Sequence, residues 1–360
     1  MKKNDRCYID VHVLQTVPPS CVNRDDTGSP KTAVYGGVTR ARVSSQAWKR
    51  AIRLYFGEIF EAEMIGTRTR KLMGKVTEAI LAQDPSLQPE TAAKKAEEAL
   101  KAAEISLKGE DNAALFFMSD AQAKALAELA LKGVKDKKEY KAALKANPAA
   151  DMALFGRMVA DDPSLNYDAA AQVAHAISTH AVQNEFDYYT AVDDRAPEDN
   201  VGAGHIGTTE FNSATLYRYA TVNLDELAAL IPERTTEAVK GFLEAFCCSM
   251  PTGKQNSFAN RTVPDLVYVT IRNDQPVNLV GAFEKPVRPA SEGYFAASEQ
   301  ALAAYAKKTY ELFVPEPALA LGCSRGDGLK ALTEEMPLRA VIDRVGEYVS
   351  KRLAANGASE

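Results

Sequence analysis

The sequence predicts an α+β fold, and three stretches carry that prediction. In residues 7–15, "CYIDVHVLQ", apolar residues alternate with more polar ones, which places Ile9, Val11 and Val13 on one side, as in a half-buried strand. After a long polar loop, a helix opens at Ser44 or Ser45, both of which are good N-caps. Residues 58–150 are dominated by Ala, Lys and Glu with few β-branched residues, which indicates a helical block.

The elements after this block complete a known order. A helix is predicted through "YDAAAQVAHAISTHAV", followed by strands at 185–194 and 211–224, a helix at about 235–249 and a strand at 265–273. The loop "RAPEDNVGAGHIGTT" joins the first two of these strands. Without the helical block the order is β, α, β, β, α, β, which is that of a ferredoxin-like or RNA-recognition-motif (RRM) fold. The block is then an insertion after the first helix.

Composition excludes several classes of protein. The 360 residues are 46% apolar and 25% charged, as in globular proteins, and no apolar run approaches the roughly 20 residues that span a bilayer. The N-terminus lacks the apolar stretch of a secretion signal. The five cysteines include no C-x-x-C pair, which argues against a zinc site and for a reducing cytoplasm. We therefore expect a cytoplasmic protein without a membrane partner.

Positive charge is concentrated at one end of an acidic chain. The net charge is −5, yet residues 1–53 hold 10 Lys and Arg against 4 Asp and Glu. At 100° per residue, Trp48, Ala51, Ile52 and Tyr55 share a core-facing helical stripe. The opposite stripe carries Gln46, Lys49, Arg50 and Arg53, and the adjoining loop carries Arg24, Lys31, Arg40 and Arg42. A basic stripe without acids at i±4 favours a polyanionic ligand over a merely solvated face.

Three short motifs resemble catalytic or nucleotide-binding patterns without their context. "GAGHIG" lacks the preceding strand and following helix of a dinucleotide site, and "GCSRG" has no histidine after it to complete a hydrolase triad. "PTGKQNS" is not a nucleotidase phosphate loop, but Lys254 beside a glycine and followed by Gln255 suits a single backbone phosphate. His175 and His180, five apart on the predicted helix, cannot share a metal.

The insertion carries one lysine-rich segment. "KGVKDKKEYKAALK" places Lys138, Lys141 and Lys145 on one helical face. By itself this pattern is typical of a solubilising surface.

Six motifs then occur in one order between residues 12 and 211: "HVLQTVPPSCVNRDD", "YGG…RARVSSQAWKRAIR", "ALFGRM", "AHAISTH", "DYYTAVDD" and "GHIGTTEF". Together they resemble the CasC family, the backbone subunit of the type I-E CRISPR surveillance complex Cascade. The helical insertion resembles the family in kind, and the C-terminal third resembles it loosely.

The resemblance implies a hand-shaped, non-catalytic RNA-binding scaffold. Its modified RRM or ferredoxin-like palm would comprise residues 1–57 and 151–360, with a protruding thumb loop or hairpin at about 190–215, and its fingers would be the helical insertion 58–150. Copies would stack head to tail along one CRISPR guide RNA (crRNA) and kink it at regular intervals. Target DNA would pair with the exposed segments, so that base pairing reads the sequence while the protein holds the backbone.

The resemblance and the charge pattern also assign residues. RNA-binding positions are Arg24, Lys31, Arg40, Arg42, Ser44, Gln46, Lys49, Arg53, Lys254 and Gln255. Wedge positions, where apolar side chains displace a base, are Met158, Tyr189, Thr190 and Ile206. Lysines that resemble the family's DNA-gripping positions are Lys137, Lys138, Lys141 and Lys145. The loop "RAPEDNV" departs from the family pattern because it is acidic.

An enzymatic alternative stays open at one acidic pair. Relatives in other CRISPR types cut RNA with an aspartate in a palm-side loop, so Asp25 or Asp26 could serve a metal-dependent endoribonuclease. The simpler interpretation is that Asp25 orients Arg24 or caps the loop. We expect no enzymatic activity, no cofactor and no metal. The expected partners are crRNA, target DNA, further copies of the chain and other Cascade subunits, and recruitment of a helicase-nuclease is left open.

Overall fold

The computed structural model describes residues 6–108, 111, 112, 114–159, 162–191, 195 and 205–357; at 111, 112, 205, 206, 356 and 357 the description covers the backbone. The strands are β1 (Tyr8–Ser20), β2 (Thr32–Tyr35), β3 (Val38–Val43), β4 (Thr67–Thr69), β5 (Leu107–Lys108), β6 (Asp111–Asn112), β7 (Phe116–Met118), β8 (Ala171–Val173), β9 (Ala176–Ser178), β10 (Glu185–Ala191), β11 (His205–Asn223), β12 (Leu266–Arg272) and β13 (Leu319–Ser324).

Helices account for much of the remainder. The α-helices are α1 (Ser45–Ile59), α2 (Leu72–Gln83), α3 (Pro89–Ala102), α4 (Asp120–Leu131), α5 (Lys137–Lys145), α6 (Ala150–Phe155), α7 (Leu224–Leu230), α8 (Thr235–Cys248), α9 (Gln255–Phe258), α10 (Phe295–Leu312) and α11 (Leu338–Gly357). Short 3₁₀ helices lie at Ala62–Met64, Pro163–Leu165, Pro232–Arg234, Leu279–Phe283 and Gly328–Ala331. The α+β prediction is confirmed. Among these helices none is long and apolar enough to cross a bilayer.

One large sheet organises the chain. Its strands follow the order β13-β12-β1-β11-β9-β3-β2, with β8 and β10 also paired to β11. β1 and β12 are antiparallel from Tyr8↔Arg272 to Leu14↔Leu266. The predicted strands at 7–15, 211–224 and 265–273 and the helix at about 235–249 are therefore present, although β1 and β11 are longer than predicted.

β1 is buried on both faces, whereas its alternation predicted one solvated face. Asp10 and His12 are as inaccessible as Ile9 and Val11. Leu14 packs with Leu279, Phe283, Leu302, Ala306 and Tyr310 in one apolar cluster. A second layer, built by α10 and the 279–283 turn from the C-terminal third, therefore covers the face that carries the polar side chains.

The predicted helix through 167–182 is wrong. The chain forms β8 and β9 there, and β9 pairs with both β11 (Leu216↔Ser178) and β3 (Val43↔Ala176). Alanine favours a helix, but Ala176 and Ser178 are buried between two neighbouring strands, and this tertiary pairing overrides local propensity. His175 and His180 consequently do not lie on a helix.

The chain divides into two compact units. The first comprises Met1–Leu54, Val173–Thr221 and Phe242–Val345, and contains most of the large sheet. The second comprises Tyr55–Gln172, Val222–Gly241 and Gly346–Glu360, with an apolar core built largely from α2, α3, α4 and α5. The fingers prediction, 58–150, lies inside this second unit. The unit also takes in 151–172, 222–241 and 346–360, which the sequence assigns to the palm.

Candidate nucleic-acid interface

The start of α1 is held from two directions. The Ser44 hydroxyl accepts a hydrogen bond from the Ala47 N–H (3.3 Å), and the Ser44 N–H donates to Asn23 Oδ1 (2.9 Å). Trp48 is fully buried, as its helical stripe predicted. These contacts fix the rotation of α1 about its axis, and therefore the direction in which the basic stripe opposite Trp48 faces.

The predicted basic stripe lies on the outer side of α1. Gln46 and Arg50 are exposed, and Lys49 and Arg53 are half-buried. Burial lowers the pKa of Lys49 from its usual range. Desolvation of this kind disfavours the charged form, so an anion that approaches Lys49 would also relieve that cost.

The loop before β2 is organised by Asp25. Its Oδ1 accepts hydrogen bonds from the Thr27 N–H (2.9 Å), the Thr27 hydroxyl (2.7 Å) and the Ser29 N–H (3.0 Å). The Thr27 hydroxyl bond is the main reason that the pKa of Asp25 lies below its usual range. Asp25 therefore shapes the loop that presents the exposed Arg24, which is a structural role.

Arg40 is a correction to the predicted set of RNA-binding residues. Its side chain is completely buried, and its guanidinium donates to the carbonyls of Tyr35 (3.1 Å), Ser178 (2.9 Å) and Phe283 (2.8 Å). Sequence spacing on β3 does not distinguish it from Arg42. The difference arises because segments distant in the chain close over Arg40, which holds the β2–β3 hairpin and is not accessible to a ligand.

Arg42, on β3, and Lys31, immediately before β2, remain accessible. The Arg42 N–H donates to the Lys31 carbonyl (2.9 Å), while the Arg42 guanidinium donates to the Thr32 carbonyl (3.0 Å) and lies 3.1 Å from His175 Nδ1. Both cations, with Asn23, line one small recess of the first unit. Burial, followed by the charges of Arg42 and Lys31, lowers the pKa of His175. The sequence did not identify His175 as a positioning residue.

Lys254 and Gln255 form the turn that begins α9. Lys254 adopts a left-handed conformation (φ 45°), and its Nζ donates to Thr209 Oγ1 on β11 (3.2 Å). Gly253 precedes it because a Cβ there would lie 2.1 Å from the Val22 carbonyl oxygen. Burial raises the pKa of the Cys21 thiol, and the charges of Lys254 and Arg24 oppose that shift. Because Gly253 lies against the Val22 backbone, Lys254 lies in the same region as Arg24.

The hairpin of β10 and β11 presents different side chains on its two faces. Its register pairs Tyr189 with Gly207 and Thr190 with Ile206, whose side chain lies outside the described residues. The Tyr189 ring crosses directly over Gly207, where a Cβ would be 2.4 Å from the ring. Tyr189 and Thr190 are exposed, as a wedge requires. Residues 192–194 and 196–204, which contain the acidic loop, lie outside the described residues.

Two exposed aromatic residues of this hairpin were missed. Phe186 and Tyr188 are 67% and 63% exposed and alternate with Tyr189, so they lie on the opposite face of β10. The alternation of "EFDYYT" was the available signal, but it does not reveal whether either face of an isolated hairpin is covered.

In the second unit, Met158 projects into solvent next to an anchored arginine. Met158 is 83% exposed, an unusual position for a methionine. The neighbouring Arg157 is buried, donates to the carbonyls of Leu165 (2.7 Å) and Leu144 (2.9 Å), and stacks 4.4 Å from the Tyr167 ring centroid. The fixed Arg157 holds the adjacent backbone and keeps Met158 on the surface.

The four predicted DNA-contacting lysines fall into two groups. Lys141 pairs with Glu104 (2.5 Å) and Asp162 (2.8 Å), and Lys137 lies 3.4 Å from Glu104. Hydrogen bonding to Lys141 is the main cause that lowers the pKa of Asp162 to about 2. Lys138 and Lys145 are exposed on α5. The lysine face is thus partly compensated by acids that the linear sequence does not place nearby.

Comparisons with known proteins agree on the class. The profile of the family described as "CT1975-like protein" matches residues 9–347. A chain of a solved structure described as "CRISPR RNA-guided surveillance complex, pre-nicking" is 32% identical, with a TM-score of 0.82 over 95% of this chain and 100% of that chain. Another, described as "CRISPR RNA-guided surveillance complex", is 32% identical, with a TM-score of 0.64 over 95% and 99%. No curated protein matches.

These similarities identify the class of protein as subunits of RNA-guided surveillance complexes. The chain belongs to the CT1975-like family, and its predicted resemblance to the CasC family of Cascade is confirmed.

Proposed function

We propose that this protein is a crRNA-binding scaffold that holds the guide by its phosphate–sugar backbone. The observation that carries the proposal is the set of cations on separately anchored segments of the first unit: Arg24 on the Asp25 loop, Lys31 and Arg42 on the β2–β3 hairpin, Lys49 and Arg53 on α1, and Lys254 on the α9 turn. Ser44 and Gln46 lie at the start of α1, and Gln255 follows Lys254. Cations and hydroxyls directed at the backbone suit a protein that must accept any guide sequence.

The proposed palm is a modified RRM. Support comes from the chain order β1, α1, β9, β11, α8, β12, which is β, α, β, β, α, β. The four strands lie side by side as β12-β1-β11-β9, so the first and third strands of the motif are central. The second unit would supply the fingers, and the β10–β11 hairpin the thumb.

Kinking of the guide would be the task of the wedge residues. On the hairpin, Thr190 pairs with Ile206 and Tyr189 pairs with Gly207, and Met158 is exposed on the second unit. In a head-to-tail stack, the hairpin of one copy would reach the guide held by its neighbour. An apolar contact with a displaced base contributes about 1–3 kcal/mol, by analogy with base–aromatic stacking. That contribution exists only on RNA shared by two copies, which would make assembly cooperative.

Target DNA would pair with the exposed guide segments between kinks. Lys138 and Lys145 are the lysines of α5 with the most accessible charge for duplex DNA, while Lys137 and Lys141 also hold Glu104. Other Cascade subunits, a helicase-nuclease and a cytoplasmic setting complete the proposed context. The proposed role is non-catalytic, and the structural task of Asp25 favours it over the endoribonuclease alternative.

The decisive experiment is co-purification from cells that express a CRISPR array. The proposal expects a high 260/280 nm absorbance ratio and bound RNA of uniform length. Protein that elutes free of RNA, or with RNA of random length, would overturn it. Incubation of the assembly with Mg²⁺ and complementary RNA, using wild type, Asp25→Ala and Asp26→Ala, tests the alternative, because cleavage that needs Asp25 or Asp26 would favour the endoribonuclease.

A further inference from the structure

An open recess lies in the first unit, apart from the basic residues assigned above. It encloses ≈ 670 Å³ and is lined by Thr16, Pro18, Arg261, Thr262, Val263, Asp265 and Arg325. On β1, Leu14 is still covered by the α10 layer, but Thr16 and Pro18, two and four residues further along the same side, are exposed. The recess therefore begins where that layer ends.

One arginine of the recess is held in place by an acid. Asp265 Oδ2 accepts a hydrogen bond from the Thr16 N–H (2.7 Å), and its Oδ1 lies 3.5 Å from Arg325 Nε. The Arg325 N–H donates to the Asp265 carbonyl (3.0 Å). The Arg325 side chain is nevertheless 64% exposed, whereas that of Asp265 is 13% exposed. Asp265 thus positions Arg325 from beneath and presents little negative charge to the opening.

The second arginine approaches from the loop between α9 and β12. Arg261 is exposed, and its guanidinium donates to the Cys248 carbonyl (3.4 Å). With two arginines and one largely buried carboxylate, the recess has a net positive charge. Its remaining lining is apolar or hydroxylic, with Val263 61% exposed and Pro18 exposed.

We propose that this recess binds one nucleotide of a single-stranded nucleic acid, with Arg261 and Arg325 on a phosphate and Pro18 and Val263 against the sugar and base. Guanidinium groups match phosphate geometry, and a nucleotide carries its charge and its apolar ring a few ångströms apart. A nucleotide therefore uses both parts of the lining, whereas an acidic protein segment would use only the arginines. Lys254 and Arg261 lie on either side of the short helix α9, so this segment would contact the strand at two points.

The inference deepens the proposed function and rests on it. We would measure binding of the full-length protein to fluorescent 12-mer oligouridylate and to the deoxy equivalent across a salt series. Arg261→Ala/Arg325→Ala should weaken binding about tenfold and reduce the salt slope by about 0.7, because the contact with one phosphate of a single strand is lost. The matched control is Lys285→Ala/Arg288→Ala, which removes two exposed cations elsewhere in the first unit and should change neither. Loss for RNA alone would identify a ribose-dependent site, and equal loss for both a phosphate-dependent one.

The outcomes separate the two proposals. If the wild type binds neither oligonucleotide, the proposed function fails with the inference. If the wild type binds and the recess variant matches it, the inference alone fails. A photocrosslink from 4-thiouridine to the peptide containing 261–265 or 325 would support the recess without any substitution, and its absence would count against it. If the same substitutions abolished binding of a glutamate-rich peptide but did not change binding of either oligonucleotide, the recess would be assigned to a protein partner and the proposal would be overturned.

Discussion

The guanidinium carbon of Arg218 lies 3.7 Å from the centroid of the Trp48 ring, deep inside the first unit. Arg218 donates to Gln15 Oε1 (2.6 Å) and to the Phe246 carbonyl, and it is fully buried without an acidic partner in these contacts. Trp48 belongs to α1, Gln15 to β1 and Phe246 to α8. The cation therefore joins both helices to the sheet and fixes the helix that carries the basic stripe.

Arg218→Ala should lower the free energy of unfolding by on the order of 3–5 kcal/mol. The substitution leaves a cavity beside Trp48 and removes the donor from Gln15 and from the Phe246 carbonyl. Urea denaturation followed by tryptophan fluorescence measures the change, since Trp48 is the single tryptophan. Arg288→Ala, at an exposed site, should stay within about 0.5 kcal/mol. A similar small effect for Arg218→Ala would contradict its structural role.

Trp48 also shows what the sequence could predict. Helical spacing identified its buried stripe and the basic stripe opposite, because both depend on residues three and four apart. Arg40 and Arg42 could not be separated in this way, since the carbonyls that cover Arg40 come from Ser178, Phe283 and Glu284. The covering of β1 by α10 could not be predicted either, because it brings together segments that are far apart in the sequence.

Asp10 and His12, on the polar side of β1, should have opposite effects on how the stability of the fold depends on pH. Burial raises the pKa of Asp10 from 3.8 to about 6, and burial lowers the pKa of His12 from 6.5 to about 3. Between pH 4 and 6 the folded state binds more protons than the unfolded state at Asp10, so stability falls as pH rises. At His12 the unfolded state binds more protons, so stability rises with pH over the same range.

Asp10→Asn should therefore remove the Asp10 effect and leave the contribution of His12 to the pH dependence of the unfolding free energy. Between pH 4 and 6 the unfolding free energy of this variant should rise more steeply with pH than that of the wild type. His12→Phe should do the reverse, and its stability should rise less or fall more with pH than that of the wild type, since the opposing His12 effect is removed. Urea titrations at half-unit pH intervals give these slopes. Parallel curves for all three proteins would show that the two groups titrate normally.

Arg40 and Arg42 provide a matched pair on one strand. Arg40→Ala should destabilise the fold because it leaves the Ser178 and Phe283 carbonyls without their donor. Arg42→Ala should leave the thermal midpoint nearly unchanged and weaken guide binding equally for any spacer, with a flatter salt dependence. Thermal melts and binding at three salt concentrations distinguish the two. Reduced RNA affinity in a normally stable Arg40→Ala protein would reinstate Arg40 as a ligand contact.

Substitutions of the α5 lysines should have different effects on DNA binding, depending on whether the lysine is paired with an acid. Lys138→Ala/Lys145→Ala should lower the association rate with double-stranded target while leaving the RNA content of the assembly intact, since electrostatic steering acts on the encounter. Lys137→Ala/Lys141→Ala removes the same charge and also frees Glu104 and Asp162. Stopped-flow binding, with the absorbance ratio as control, tests both pairs. Loss of guide RNA from the first variant would move these lysines to the RNA interface.

Gly207 should be essential to the position of Tyr189. A Cβ at Gly207 would lie 2.4 Å from the Tyr189 ring, so Gly207→Val must displace the ring from its place on β10. Because the hairpin is exposed along β10, the fold should melt at an unchanged temperature. Assembly on a guide should lose its regular spacing, as seen by ribonuclease footprinting of the bound RNA. Thr208→Val places the same side chain on the other face of the hairpin, beside Tyr188, and should keep the footprint. A regular footprint from the Gly207→Val protein would show that Tyr189 does not set the kink.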